Sequence, residues 1–251
     1  MDNVDSMSDV EQSRRRRRPR THYRDPFGAL TASGIGYLIA LLIALLVIPR
    51  IGGLGQQAWL TQLIAYLLIW LPLIATVLLG GIRYGQNSLS RDAGLSIRWI
   101  DLGIGLLVGL IARFLVQGIA PVAPVAPEAT LDGAVDVPQP AHLAVLVVGA
   151  VLIAPVVEEL FFRGILQRSV SGLVRGGRAA RIIVAVLAST PLFMLLHLAG
   201  AAPANWGTVA VTTAVAGLAF GLLAATTRRL GSSIVAHAVF NALGLVFLYV
   251  R

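Results

Sequence analysis

Seven apolar runs of membrane-spanning length govern what this 251-residue chain can become. They fall near Leu30–Ile48, Trp59–Gly80, Ile100–Ala120, Leu143–Leu166, Ile182–Leu198, Trp206–Ala225 and Ile234–Val250. In lipid every backbone N–H and C=O needs a partner within the chain, and runs of about twenty apolar residues meet that need as helices. Composition agrees: 57% of residues are hydrophobic, 13% are charged, and the mean hydropathy is +0.80. A soluble domain carries about a quarter charged residues. The expectation is an all-α, polytopic membrane helix bundle of about seven transmembrane helices. The fifth and last runs are short, which leaves room for tilt or a break.

All twenty basic residues are arginine, and their placement gives the orientation. With a cytoplasmic N-terminus, sixteen fall in cytoplasmic segments: Arg14–Arg18, Arg20 and Arg24; Arg83, Arg91 and Arg98; Arg168, Arg175, Arg178 and Arg181; Arg228 and Arg229. Two fall outside (Arg50, Arg251) and two within spans (Arg113, Arg163). Such an excess predicts an N-inside, C-outside topology. The outer loop from Pro121 to Pro140 carries Glu128, Asp132 and Asp136 and no arginine, which agrees.

Residues 1–26 read as a disordered, polybasic cytoplasmic tail. Met1–Glu11 is polar and acidic, and Arg14–Arg18 is a block of one sign, so neither can build a core. Just before a first span, such a block is an orientation signal resting on anionic headgroups rather than a nucleic-acid site. The expected partners therefore include the lipid bilayer and no nucleic acid. No signal-peptide pattern precedes the first span. The chain divides into the tail (1–26), N-terminal transmembrane helices (27–140) and a C-terminal core (141–251). The arginine-only usage points to a high-GC genome, hence to a multi-pass protein of a bacterial plasma membrane. The absence of cysteine excludes disulfides, thiolate chemistry and Cys-ligated metal.

Against this apolar background, Glu158 and Glu159 need a reason. A carboxylate at bilayer depth costs about 2.5–3.5 kcal/mol on insertion scales and usually marks a paired or functional group. The other buried ionisable and amide groups are few. Arg163 shares the fourth span, His197 ends the fifth, and His237 and Asn241 lie in the seventh. They concentrate in the C-terminal half, which suggests one polar pocket. Glu159 and Arg163 are four residues apart on one helix face, so they can pair. Glu158 is rotated from Glu159 by about 100° and is free for another task. His237 and Asn241 share a face, as do Phe193 and His197. Each feature alone also has a structural reading: a buried ion pair for Glu159–Arg163, interhelical hydrogen bonds for the others. Gly105/Gly109 and Gly217/Gly221 read as close helix packing.

Depth gives mixed support. At about 1.5 Å per residue, Glu158 lies roughly 15 Å from Arg168 and His237 roughly 12 Å from Arg229, but His197 lies roughly 24 Å from Arg181. Either the fifth span begins late or Pro191 kinks it.

Glu158-Glu159-x-x-x-Arg163, Phe193-x-x-x-His197 and His237-x-x-x-Asn241, in that order on apolar helices, resemble the three motifs of the CAAX protease and bacteriocin-processing family. These are intramembrane glutamic endopeptidases whose eukaryotic members are type II CAAX prenyl proteases. The resemblance covers roughly Ala141 to Leu248. It implies that Glu158 is the general base activating water with help from His197. It also implies that His237 and Asn241 form the oxyanion hole, and that Glu159 and Arg163 support the site. No cofactor is implied. The residues themselves allow this scheme, since a glutamate in a poorly hydrated pocket gains basicity and a His with an Asn amide can serve a developing oxyanion.

Other readings stay open. Glu158, His197 and His237 can also be written as a zinc site with an open position for water, although His-Glu-x-x-His spacing is absent. A small-solute or proton transporter uses the same residue types, but no inverted repeat is visible. A non-catalytic membrane scaffold or immunity protein is the third alternative. The expected substrate is a membrane-associated peptide or protein. For a bacterial chain, prenylated clients are not expected.

Overall fold

The computed structural model describes residues 23–51, 57–120 and 140–249. Most of the polybasic tail, the acidic outer loop, His22 and Arg251 lie outside these residues. Seven helices form the bundle: α1 (Pro26–Ile51), α2 (Ala58–Tyr84), α3 (Trp99–Ile119), α4 (Pro140–Leu173), α5 (Arg178–Ala199), α6 (Trp206–Thr227) and α7 (Gly231–Tyr249). All seven are long and apolar enough to cross a membrane, and no strand occurs among the described residues. The chain is a multi-pass membrane protein. The fifth and last helices have 22 and 19 residues, so neither falls short, and α5 runs unbroken through Pro191.

Helix starts follow local chemistry. Asp25 caps α1 by accepting the Gly28 N–H at 2.9 Å, with Pro26 at the first helical position. Asp101 folds back to accept the Arg98 N–H at 2.8 Å at the start of α3.

Small residues set the close crossings. A Cβ on Gly109 of α3 would stand 2.6 Å from the Ala236 carbonyl oxygen of α7. One on Gly217 of α6 would stand 2.7 Å from Thr190 Cγ2 of α5. Both small-residue pairs are thus packing surfaces, as the sequence suggests. Helix α4 is central: it touches α1, α2, α5, α6 and α7, and residues 161–167 are buried on every side. A helix buried all round has no solvent or lipid face to spare, so its polar groups must find protein partners.

The depth conflict around His197 came from the wrong boundary. Arg168 does not mark the end of the fourth span, because α4 continues to Leu173. Arg168 sits inside the helix, half-buried, and its Nη2 donates to the Arg228 carbonyl at 2.8 Å. Measured from Leu173, Glu158 lies about 22 Å along the axis, close to the roughly 24 Å from Arg181 to His197. Helix α7 begins below the surface. Leu230, Ser232 and Ser233 are fully buried, and the Leu230 and Gly231 N–H groups bond the Gly94 and Ser96 carbonyls at 2.9 and 3.1 Å. Six residues of α7 therefore bring His237 to the level of Glu158. The Asp101 carboxylate fixes this junction by accepting from Arg229 Nε at 2.7 Å and from the Ser232 hydroxyl.

Candidate active site

Pro155 shapes the helix that carries the glutamates. Having no N–H, it cannot serve the carbonyls one turn back, and its ring crowds them. Residues Val147–Ile153 accordingly take the wider π geometry, with the Ala154 N–H bonded to the Gly149 carbonyl five residues earlier. In that register the Ala150 carbonyl would look to residue 155 for a donor. Asn241 of α7 supplies it instead, its Nδ2 donating to the Ala150 oxygen at 2.8 Å. A second π segment spans Glu159–Leu166, so the glutamate pair sits where an ordinary turn gives way to a wide one.

The two carboxylates face different surroundings. Glu159 is fully buried, and its Oε1 lies 3.2 Å from Arg163 Nη1 and 3.1 Å from His237 Nδ1. Glu158 keeps 13% of its side chain accessible, while its Oε2 is buried and accepts no hydrogen bond. Two imidazoles converge on that oxygen: His197 Nε2 at 3.7 Å and His237 Nε2 at 3.8 Å. At these separations neither ring nitrogen hydrogen-bonds the oxygen directly, so the three atoms form one close polar cluster.

Each histidine is oriented through its other nitrogen. His197 Nδ1 donates to the Phe193 carbonyl one turn earlier at 2.8 Å, so in the neutral ring Nε2 carries a lone pair toward Glu158. His237 Nδ1 faces Glu159. Phe193 therefore explains its place in the motif: its backbone sets the tautomer and its ring packs 4.4 Å from the imidazole of His197. Phe220 stacks on His237 at 5.0 Å, and Arg163 lies over the Phe193 ring at 4.5 Å. This aromatic wall leaves a low-dielectric cluster in which charge–charge interactions are strong.

The structure thus brings together Glu158, Glu159, Arg163, His197 and His237. Asn241 lies one turn of α7 beyond His237, with one amide N–H committed to Ala150. Among the described residues, no group of three or more His, Cys, Asp or Glu side chains is placed to hold a metal ion.

Several contributors escaped the sequence reading. Gln167, one turn after Arg163, donates to the Gly221 carbonyl at 2.9 Å and accepts from Ser189 at 3.2 Å. Arg163 Nη2 reaches the Gly217 carbonyl at 3.4 Å in the same way. The i, i+4 spacing of Arg163/Gln167 against Gly217/Gly221 was the available signal. Helix α2 supplies Tyr66, stacked on Trp70 at 4.8 Å and packed against Gly149 in the first π segment. Nothing local in the sequence marks that contact.

Comparison with known families bears on this cluster directly. Residues 140–243 match the family described as type II CAAX prenyl endopeptidase Rce1-like. Over that segment the chain is similar to the Rce1-like family. The matched segment is under half of the chain, yet it holds all seven residues of the three motifs. It bears out the family resemblance and supports peptidase chemistry on a membrane-associated protein substrate. No curated relative and no solved structure matches the chain.

Proposed function

We propose that this Rce1-like chain is an intramembrane glutamic endopeptidase of a bacterial plasma membrane. In this reading it hydrolyses peptide bonds of membrane-associated peptides or proteins without a metal. The observation that carries the proposal is the convergence of His197 Nε2 and His237 Nε2 on the unpartnered Glu158 Oε2.

In the proposed mechanism Glu158 takes a proton from a water held between its Oε2 and the Nε2 lone pair of His197. The hydroxide formed attacks the scissile carbonyl, and the proton passes to the leaving amine. His237 and the remaining Asn241 N–H serve the oxyanion. With Nδ1 facing Glu159, His237 can donate from Nε2 only if both ring nitrogens hold protons or if Glu159 itself is the proton holder. The Glu159–Arg163 pair therefore fixes the orientation of the His237 ring, with Nε2 on the side of Glu158.

The test is the peptide content of cells. Cells carrying the wild-type chain and cells carrying Glu158→Gln are compared for peptides that accumulate or disappear. A defined set of membrane-associated fragments lost with Glu158→Gln supports the proposal. Identical peptide profiles at equal protein level argue for the scaffold or transporter alternatives.

A further inference from the structure

At the arginine-rich end of the bundle, helices α4, α5 and α6 splay around a cavity of about 650 Å³. Arg168, Arg178, Arg181 and Arg228 line it, with Arg163 at its inner end, and no Asp or Glu contributes to the lining. Arg163 has Glu159 as its counter-charge. The other four do not spend their donors on carboxylates inside the cavity. Arg168 Nη2 donates to the Arg228 carbonyl at 2.8 Å and Arg178 Nη2 to the Thr226 carbonyl at 3.3 Å. Asp92, a buried acid outside the lining, gives Arg168 a partial counter-charge and accepts the Gln86 and Ser88 N–H groups at 2.8 and 2.9 Å.

Donors are left over. Arg168 Nη1 and Arg181 Nε are buried and have no hydrogen-bond partner. A buried guanidinium N–H without an acceptor is costly, and four like charges around one cavity repel each other. Helix α5 also opens here: its cap residue Gly177 offers no side-chain acceptor, so the first-turn N–H groups and the positive end of the helix dipole add to the field. Every one of these features is answered by a single ligand chemistry, a compact anion with several acceptor oxygens. Planar arginine forks suit phosphate in particular.

The rest of the lining narrows the source. Ile182, Ala185 and Ala224 give the cavity an apolar side continuous with the bundle interior. A basic pocket between spans at the cytoplasmic boundary, the side the arginine count assigns to this end, is where phosphodiester headgroups are available. We infer that this cavity is a phosphate-binding site, filled by the headgroup of an anionic phospholipid or by free phosphate. The inference does not depend on the catalytic roles proposed above.

The experiment uses the full chain purified in detergent, with phosphatidylglycerol, phosphatidylcholine and inorganic phosphate as probes. Thermal unfolding reports stabilisation and native mass spectrometry reports retained lipid. Phosphatidylglycerol is expected to raise the midpoint and to be retained, and phosphatidylcholine to do neither. A response to phosphatidylglycerol alone assigns a lipid headgroup; an equal response to inorganic phosphate assigns the free ion. Arg181→Gln, and Arg178→Gln at a more exposed position, are each expected to weaken apparent affinity roughly fivefold to tenfold. Arg83→Gln, which removes an exposed arginine away from the cavity, is expected to leave it unchanged. Indifference to both phosphate probes would overturn the inference, as would equal weakening by Arg83→Gln.

Discussion

His197 Nε2 stands 3.7 Å from Glu158 Oε2, and it faces that way because its Nδ1 is held 2.8 Å from the Phe193 carbonyl on its own helix. The backbone of α5 thus decides which nitrogen of the ring is offered to the glutamate of α4. A histidine oriented by a local carbonyl is poised for proton exchange with a carboxylate, whichever reaction the pocket performs.

Glu159 and Glu158 are expected to fail in different ways. Glu159→Gln removes the counter-charge of Arg163, which is otherwise left with a 3.4 Å contact to the Gly217 carbonyl and three aromatic rings. Stranding a buried charge costs about 3–5 kcal/mol. The expected result is a clear drop in unfolding midpoint, largely recovered in the double variant Glu159→Gln/Arg163→Leu. A Glu159→Gln protein as stable as wild type would contradict the pairing.

His237 and Asn241 separate the glutamate scheme from the zinc scheme. As oxyanion donors, each lowers turnover by roughly 10²–10³ when changed to alanine, with apparent substrate affinity nearly unchanged. Asn241→Ala also costs about 1–3 kcal/mol of stability, because the Ala150 carbonyl loses the donor that Pro155 cannot provide. Activity should survive thorough chelation. Stoichiometric zinc that leaves with activity and restores it on return would decide for the metal.

Sequence and structure agree where the signal is local. The apolar runs gave seven spans, and four-residue spacings gave the Glu159–Arg163 pair and the shared face of His237 and Asn241. Two things were not legible. In sequence an arginine reads as a span's end, yet Arg168 bonds a helix-terminal carbonyl from inside α4, which extends past it to Leu173 and holds Gln167 within the bundle. Contacts between distant segments carry no local period at all. The Asn241–Ala150 bond depends on the π register that Pro155 imposes, and the Asp101–Arg229 pair joins the starts of α3 and α7.

Close packing of α3 on α7 gives a stability test remote from the glutamates. Gly109→Val would drive a branched side chain into the Ala236 carbonyl and Val239, an overpacking that costs about 1–3 kcal/mol. Gly103→Ala and Gly118→Ala, which meet nothing within 4 Å, should shift the unfolding midpoint far less. Equal effects at all three positions would contradict the described interface.

Orientation is checked with reporter fusions after Gln86 and Ala129. The arginine distribution predicts a cytoplasmic signal at Gln86 and an external one at Ala129. An external signal at Gln86, or a cytoplasmic one at Ala129, would contradict the N-inside arrangement.

If Glu158 is the base of a peptidase, its loss must show in cleavage by the purified protein. Purified wild-type and Glu158→Gln proteins are reconstituted in lipid, and their single-turnover cleavage of a labelled membrane-anchored peptide is compared alongside their unfolding midpoints. Glutamine keeps the size and hydrogen bonding of the side chain but not its basicity. Matching midpoints and a cleavage rate lower by roughly 10²–10⁴ in Glu158→Gln are expected. Cleavage at the wild-type rate by a folded Glu158→Gln protein would contradict that role for Glu158.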